Sequence, residues 1–354
     1  MSPRLKSTLA FAGSLALGGG LLYLALRGAD FDAVWSGLRD GVWGWLVPLF
    51  LVSVASVAIR AWRWRLLLNA LPAEADRRPV TFETSFVSVM IGYLVNYAAP
   101  RLGEFARAAN VSSRTGRSFP AVFGTVVADR VLDVAMLLLA LLSVALLYGP
   151  RLDGVWSAFG DGLAGAREAL PTLSLGMVAG LIVATLALAS LAWAIARRAR
   201  GLSGRLLGLA LHFRDGLSAV LRLPQRGALV LSTLLLWASY GLMADIPLRL
   251  LGLSEAYGIG LVDAWALMAV GAVGMSLPSP GGAGSYHYAT VLTLTVLFGV
   301  AASPAAAYAV IGHAAQLVFY CLSGVAALVW QGTSLKAIRA TATAAQTGGA
   351  SPAP

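Results

Sequence analysis

Charge is scarce in this chain: only 12% of its 354 residues are Asp, Glu, Lys or Arg, against about a quarter in a soluble protein. With 58% apolar residues and a mean hydropathy of +0.77, there is too little polar surface to coat a water-facing globule, so the sequence reads as an integral membrane protein. Cysteine is almost absent. The single Cys321 lies inside an apolar run, which excludes a disulfide framework and a cysteine metal cluster. Lysine is nearly missing too: apart from Lys6 and Lys336 the basic residues are all arginine, and the net charge is +10. In a membrane protein such an excess reports orientation and contact with anionic headgroups, not nucleic acid. Long polar stretches are lacking as well, so there is no room for a separate soluble catalytic domain.

What fills the chain is a series of apolar runs, each near the length that crosses a bilayer as helix. They cover about Thr8 to Leu26, Val42 to Leu68, Phe82 to Ala99, Pro120 to Tyr148, Leu170 to Ala196, Gly227 to Leu251, Leu261 to Pro278, Ser285 to Val300 and Pro304 to Trp330. The first follows Arg4 and Lys6 but lacks a clear cleavage site, and is expected to be a retained anchor. The stretch from Arg197 to Arg226 interleaves leucines with arginines and predicts an amphipathic helix on the inner leaflet. Residues 340–354 carry no periodic apolar face and are expected to be disordered.

The distribution of basic residues sets the expected topology. Stretches around Arg4, Arg60 to Arg78, Arg101 to Arg117, Arg197 to Arg226 and Lys336 hold 20 of them, the alternate stretches hold 5, and Arg130 sits inside a run. Placing the rich group in the cytoplasm puts both termini there. It also makes Phe82 to Ala99 enter and leave on one side, a re-entrant segment broken at Pro100. A second break, Pro278-Ser-Pro-Gly-Gly-Ala-Gly284, follows a later apolar run, and Pro120 and Pro304 each open a long run after a break. The expected fold is therefore an all-α polytopic membrane protein: about six full spans plus two opposed re-entrant (broken) hairpins, forming an inverted repeat. Residues 1–339 make one transmembrane domain, with half one at about 8–148 and half two at about 170–331. The second hairpin can equally be two full spans, because charge parity is the same. Paired discontinuous segments of this kind point to a mid-membrane binding site.

Candidate chemistry gathers at the breaks. A helix restarting after Pro100 would place Arg101, Glu104 and Arg107 at successive i,i+3 steps, where two guanidiniums beside a helix start can grip a phosphate oxygen and Glu104 can hold them in place. Asn96 precedes this segment. An interfacial salt-bridge ladder is the alternative. Asp129, Arg130 and Asp133 lie deep in the next run at spacings that allow a neutralising cluster, a candidate gate. In half two, Gly281, Gly282 and Gly284 can form an anion nest or simply serve close packing. His287, His313 and Gln316 would line the outward half, the histidines as proton-linked groups. Two histidines without carboxylate partners do not make a metal site, and no cofactor is expected. Arg60-Ala-Trp62-Arg63-Trp64-Arg65 reads as an interfacial belt of tryptophan and snorkelling arginine, or as headgroup contact at an entry site.

Taken in order, Arg60-Ala-Trp-Arg-Trp64, Asn96 to Arg107, Asp129-Arg-Val-Leu-Asp133 and Pro280-Gly-Gly-Ala-Gly284 resemble the lysylphosphatidylglycerol synthase transmembrane region, also described as flippase-like integral membrane proteins. Two departures stand out. Where many members carry an acidic residue before the intramembrane arginine and another after the glycine-rich break, this chain has Asp129, a shorter acid, and His287. The aminoacyltransferase domain of the name-giving members is absent, so lysyl transfer is not carried over. The resemblance implies lipid translocation or lipid-linked precursor handling in a plasma (inner) membrane. Joined to the arginines and breaks above, it gives the expected function: movement of an anionic phospholipid or a polyprenyl-phosphate-linked lipid between leaflets, not an enzymatic reaction, with room for a homo-oligomer. A membrane-embedded transferase acting on polyprenyl-phosphate-linked sugars and a non-transporting scaffold for an envelope enzyme are the rivals.

Overall fold

The structure is a computed structural model that describes residues 3–72, 79–98, 102–162, 204–277 and 279–332. Every regular element among them is helical. In chain order these are α1 (Pro3–Leu26), α2 (Phe31–Arg39), α3 (Leu46–Asn69), α4 (Phe82–Ala98), α5 (Gly103–Thr115), α6 (Phe119–Gly162), α7 (Gly204–Leu217) and α8 (Ala219–Arg222). They continue with α9 (Arg226–Leu250), α10 (Leu253–Tyr257), α11 (Leu261–Ser276), α12 (Ser285–Leu292) and α13 (Ala302–Gln331).

Four stretches, Trp43–Asn69, Phe119–Gly149, Arg226–Leu250 and Ala302–Gln331, are long and apolar enough to cross a membrane, and Leu15–Leu26 and Leu261–Ser276 are shorter apolar helices. The chain is thus a polytopic, all-helical membrane protein. The run from Leu170 to Ala196 and the tail 340–354 lie outside the described residues. α6 departs from expectation at its end: the chain stays helical past Pro150 to Gly162 instead of entering a loop after Tyr148. Its 44 residues rise about 66 Å, roughly twice a hydrocarbon core, so part of the helix must extend beyond it.

Both breaks are present. α4 ends at Ala98 and α5 begins at Gly103, with 99–101 outside the described residues. α11 ends at Ser276 and α12 begins at Ser285, separated by a tight turn at Pro280–Gly282. Pro120 and Pro304 fall in the first turns of α6 and α13, where a missing N–H costs no helical bond.

α3 is amphipathic in the sense opposite to a helix of a soluble protein. On α3, Ser53, Ser56, Arg60 and Arg63 follow a 3-4-3 spacing and are all buried, whereas Val47, Phe50 and Leu51 are exposed. Lipid accepts the apolar face, so the polar stripe turns inward to find partners.

The described residues fall into two compact units, each assembled from three stretches: Met1–Ala55, Met136–Leu173 and Trp237–Phe319 in the first, and Ser56–Ala135, Ser174–Leu236 and Tyr320–Pro354 in the second. They do not coincide with the sequence halves, since each draws on both. In the first unit, Leu21, Leu248, Leu294 and the alanine-rich start of α13 through Tyr308 form a core. Trp237, Ala140 and Tyr148 form another, and Tyr148 Oη donates to Asp263 Oδ1 at 2.6 Å. α11 and α12 both lie here. In the second unit, Leu67, Ala128, Leu223 and Leu229 cluster, Phe105 stacks on Phe123 at 4.7 Å, and α4 and α5 form a helical hairpin. That hairpin closes on two glycines: a Cβ on Gly103 would run into the Gly92 carbonyl, and a Cβ on Gly92 would stand 3.0 Å from the Gly103 carbonyl.

Candidate functional site

The second unit gathers seven ionised side chains into one cluster. Asp129 and Asp133, one turn apart on α6, face Arg60 and Arg63, three residues apart on α3. Arg60 Nη1 donates to Asp129 Oδ2 at 3.2 Å and its Nη2 to Asp133 Oδ2 at 2.9 Å. Arg63 Nε donates to Asp129 Oδ1 at 2.9 Å and its Nη2 to Asp133 Oδ1 at 2.6 Å. The i,i+4 step on one helix and the i,i+3 step on the other let two guanidinium forks meet two carboxylates. α5 contributes Arg107, whose Nη1 and Nη2 reach Asp129 Oδ2 at 3.3 and 3.2 Å and whose Cζ lies 4.8 Å over the Trp64 ring. Trp64 itself is fixed by its Nε1 donating to Thr125 Oγ1 at 3.0 Å. Arg130 reaches the other way, with Nη1 3.3 Å from Asp133 Oδ2 and Nη2 on Glu104 Oε1.

Burial grades across the cluster. The side chains of Asp129 and Arg63 are fully buried and Arg60 and Arg107 nearly so, while Glu104 is 23% and Arg130 41% exposed. Asp129 and Asp133 each pair with three arginines and Glu104 with two. Buried carboxylates stay ionised only when so compensated. Four guanidiniums against three carboxylates leave these members with one positive charge in excess.

A narrow cleft opens beside the exposed rim, lined by Val89, Gly92, Tyr93 and Asn96 of α4 and by Arg60, Glu104, Arg107 and Arg130. It has room for about a single water molecule. Tyr93 is held in place by stacking on Tyr320 at 4.3 Å. Asn96 Oδ1 accepts from the Gly103 N–H at 2.8 Å, a cap on the first turn of α5 supplied from outside the helix. Of the expected arginine-glutamate-arginine ladder, the described residues show Glu104 and Arg107 in the first turns of α5, with Arg107 Nε 3.0 Å from Glu104 Oε2. Arg101 lies outside the described residues.

Five residues expected at the site from spacing, Glu104, Arg107, Asp129, Arg130 and Asp133, therefore belong to one network. Arg60 and Arg63 are the correction. Expected as a snorkelling belt, they are 4% and 0% exposed and bind the α6 aspartates. Their common face with Ser53 and Ser56 was the available signal, since a belt has no reason to continue a polar stripe down the helix.

The residues expected in half two stand in the first unit. His287 and His313 are buried with ring centres 5.0 Å apart, and Tyr286 stands 5.5 Å from His313. His287 Nδ1 accepts from the Gly284 N–H at 3.4 Å, capping α12. Gly281, Gly282 and Gly284 all have positive φ. The Gly282 N–H is committed to the Ser279 carbonyl at 3.2 Å, and a Cβ on Gly284 would strike the Gly18 carbonyl of α1. The glycines thus serve turn geometry and close packing in this conformation. Gln316, half-buried, lies one turn beyond His313. Among the described residues no group of three His, Cys, Asp or Glu side chains is placed to hold a metal.

A family model described as the lysylphosphatidylglycerol synthase TM region matches residues 11–324. The chain belongs to that family. The match runs through both breaks, the arginine-carboxylate cluster and the histidine pair, so the site lies within the matched residues. Among curated proteins and among solved structures no match to the chain was found. Family membership makes this a membrane protein of a lipid-related group.

Proposed function

We propose that this protein moves a lipid with an anionic, phosphate-bearing headgroup between membrane leaflets, binding the headgroup at the rim of the arginine cluster. The observation that carries the proposal is the excess of one positive charge among the described members of a mostly buried cluster that meets a cleft through Arg107 and Arg130. A phosphate oxyanion supplies the missing charge and accepts from guanidinium forks. Arg60, Arg63, Asp129 and Asp133 form the frame, and Arg101, adjacent to α5, is proposed as a further headgroup contact. Each cluster carboxylate is already shared between two or three guanidiniums, which disfavours it as a general base or metal ligand and favours translocation over a transferase. α12, at 8 residues, is too short to cross a hydrocarbon core by itself, which supports the reading of α11–α12 as re-entrant. The split of basic residues supports a plasma-membrane orientation with cytoplasmic termini. His287 and His313 are proposed as the proton-linked element of the first unit.

Reconstitution in liposomes with fluorescent phosphatidylglycerol is the test. Leaflet exchange without a chemically altered lipid is expected; a covalent product would replace the proposal with a transferase, and neither result would leave a scaffold. Arg107→Lys should lower the exchange rate at least tenfold with the protein still monodisperse, because lysine keeps the charge but loses the planar fork. Exchange at the wild-type rate in that variant would remove Arg107 from headgroup binding. Cysteines placed at Ser112 and Ser157 in a Cys321-free background should be labelled from opposite sides, Ser112 from the cytoplasm.

A further inference from the structure

The three carboxylates of the cluster are not equivalent. Asp129 and Asp133 rise from α6 into the buried frame and together hold Arg60, Arg63, Arg107 and Arg130. Glu104 comes from the first turn of α5, is 23% exposed, and among the described residues pairs with Arg107 and Arg130, two of the three arginines that line the cleft. Its two oxygens go to separate guanidiniums from separate helices, Oε2 to Arg107 Nε at 3.0 Å and Oε1 to Arg130 Nη2. Two neighbouring oxygens of a phosphate would make the same bridge. The cleft has space for about one water, so a headgroup cannot enter while all its lining groups stay in place. Asp129 yields far less readily, because its departure would take a counter-charge from three nearly buried guanidiniums at once, in the part of the cluster furthest from the rim. Glu104 can yield: it has three rotatable bonds, sits at the rim, and leaves behind only Arg107, still paired with Asp129, and Arg130, still paired with Asp133.

Resting on the headgroup reading above, we propose that Glu104 occupies the ligand's seat: its carboxylate is an internal competitor that a phosphate oxyanion displaces from Arg107 and Arg130, and that returns when the ligand leaves. The guanidiniums are then never left bare in a low-dielectric site, and the ligand gains only the difference between its own contacts and those of the carboxylate. Binding is accordingly readily reversible, as a carrier requires. The opposite role, a positioning residue that orients the arginines for the ligand, predicts effects of opposite sign.

The two are separated by titrating the purified full-length protein in detergent with dihexanoyl phosphatidylglycerol and, in parallel, with inorganic phosphate, at constant ionic strength. Glu104→Gln keeps size and hydrogen bonding but removes the competing charge, so the lipid should bind about tenfold tighter than to wild type, in line with the strength of a charge-assisted contact. Glu104→Asp keeps the charge but is too short to bridge both arginines, and should fall between. It carries the test if the glutamine variant is not recovered as a monodisperse protein. Equal or weaker lipid binding in Glu104→Gln, with wild type binding saturably, overturns the exchange role and leaves the headgroup site standing. A gain seen with inorganic phosphate and not with the lipid keeps the exchange but assigns the seat to free phosphate, removing the lipid reading. No saturable binding of either titrant to any of the three proteins removes both.

Discussion

Asp129→Asn is expected to destabilise the protein by about 3–5 kcal/mol, the cost of removing one charged member of a buried ion-pair network on which three arginines converge. The side chain is fully buried and shared among Arg60, Arg63 and Arg107. Asparagine fits the space but offers one acceptor oxygen where three guanidiniums now converge on two, and it presents an NH2 group to donors. Three buried cations would then have lost a common counter-charge. Asp133→Asn should cost less, because that carboxylate is 13% exposed and its partner Arg130 is 41% exposed. Thermal unfolding in detergent, followed by intrinsic fluorescence of the ten tryptophans, reads the difference. A stability for Asp129→Asn within about 0.5 kcal/mol of wild type, the range of an inconsequential surface change, would contradict the buried network.

Gly103→Ala should be the most damaging single-methyl addition near the site, costing about 1–3 kcal/mol from overpacking, with loss of the α5 cap adding to it. The added Cβ would meet the Gly92 carbonyl and lie 2.5 Å from Asn96 Cγ. Neither neighbour can simply rotate away: one is helix backbone, and the other holds the Gly103 N–H. The α4–α5 hairpin must part, which shifts Glu104 and Arg107 relative to the α6 aspartates, so leaflet exchange should fall along with stability. Gly19→Ala provides the contrast, since nothing lies within 4 Å of its added carbon; it should be neutral or slightly stabilising as a helical glycine replaced by alanine. Unfolding midpoints and exchange rates of the two variants measured side by side test the pair, and equal behaviour would argue against the close glycine crossing.

Much of this molecule follows from composition and spacing. The shortage of charge and the long apolar runs determine a polytopic helical membrane protein, because lipid tolerates no unpaired backbone. Pro100 and the glycine-proline segment before Gly284 determine where two helices break, and Pro120 and Pro304 where two restart, since ring geometry and a missing N–H act locally whatever the surroundings. The i,i+3 and i,i+4 spacings of Glu104, Arg107, Asp129, Arg130 and Asp133 determine which charges share a helix face, and charges at membrane depth must find partners.

Which faces meet was decided only in three dimensions. That Arg60 and Arg63 leave the interface for the α6 aspartates, that Arg130 reaches across to Glu104, that Asn96 caps a helix it does not belong to, and that His287 and His313 lie 5.0 Å apart all depend on contacts between different helices. The physical reason is the solvent. In water an apolar stripe announces which side of a helix is buried, but in a bilayer both sides are apolar and lipid competes evenly with protein for either. Helix pairing then rests on small residues that allow close approach, such as Gly92 against Gly103, and on polar groups that must be satisfied. Their spacing along one helix says that a partner exists, and only the tertiary structure says which.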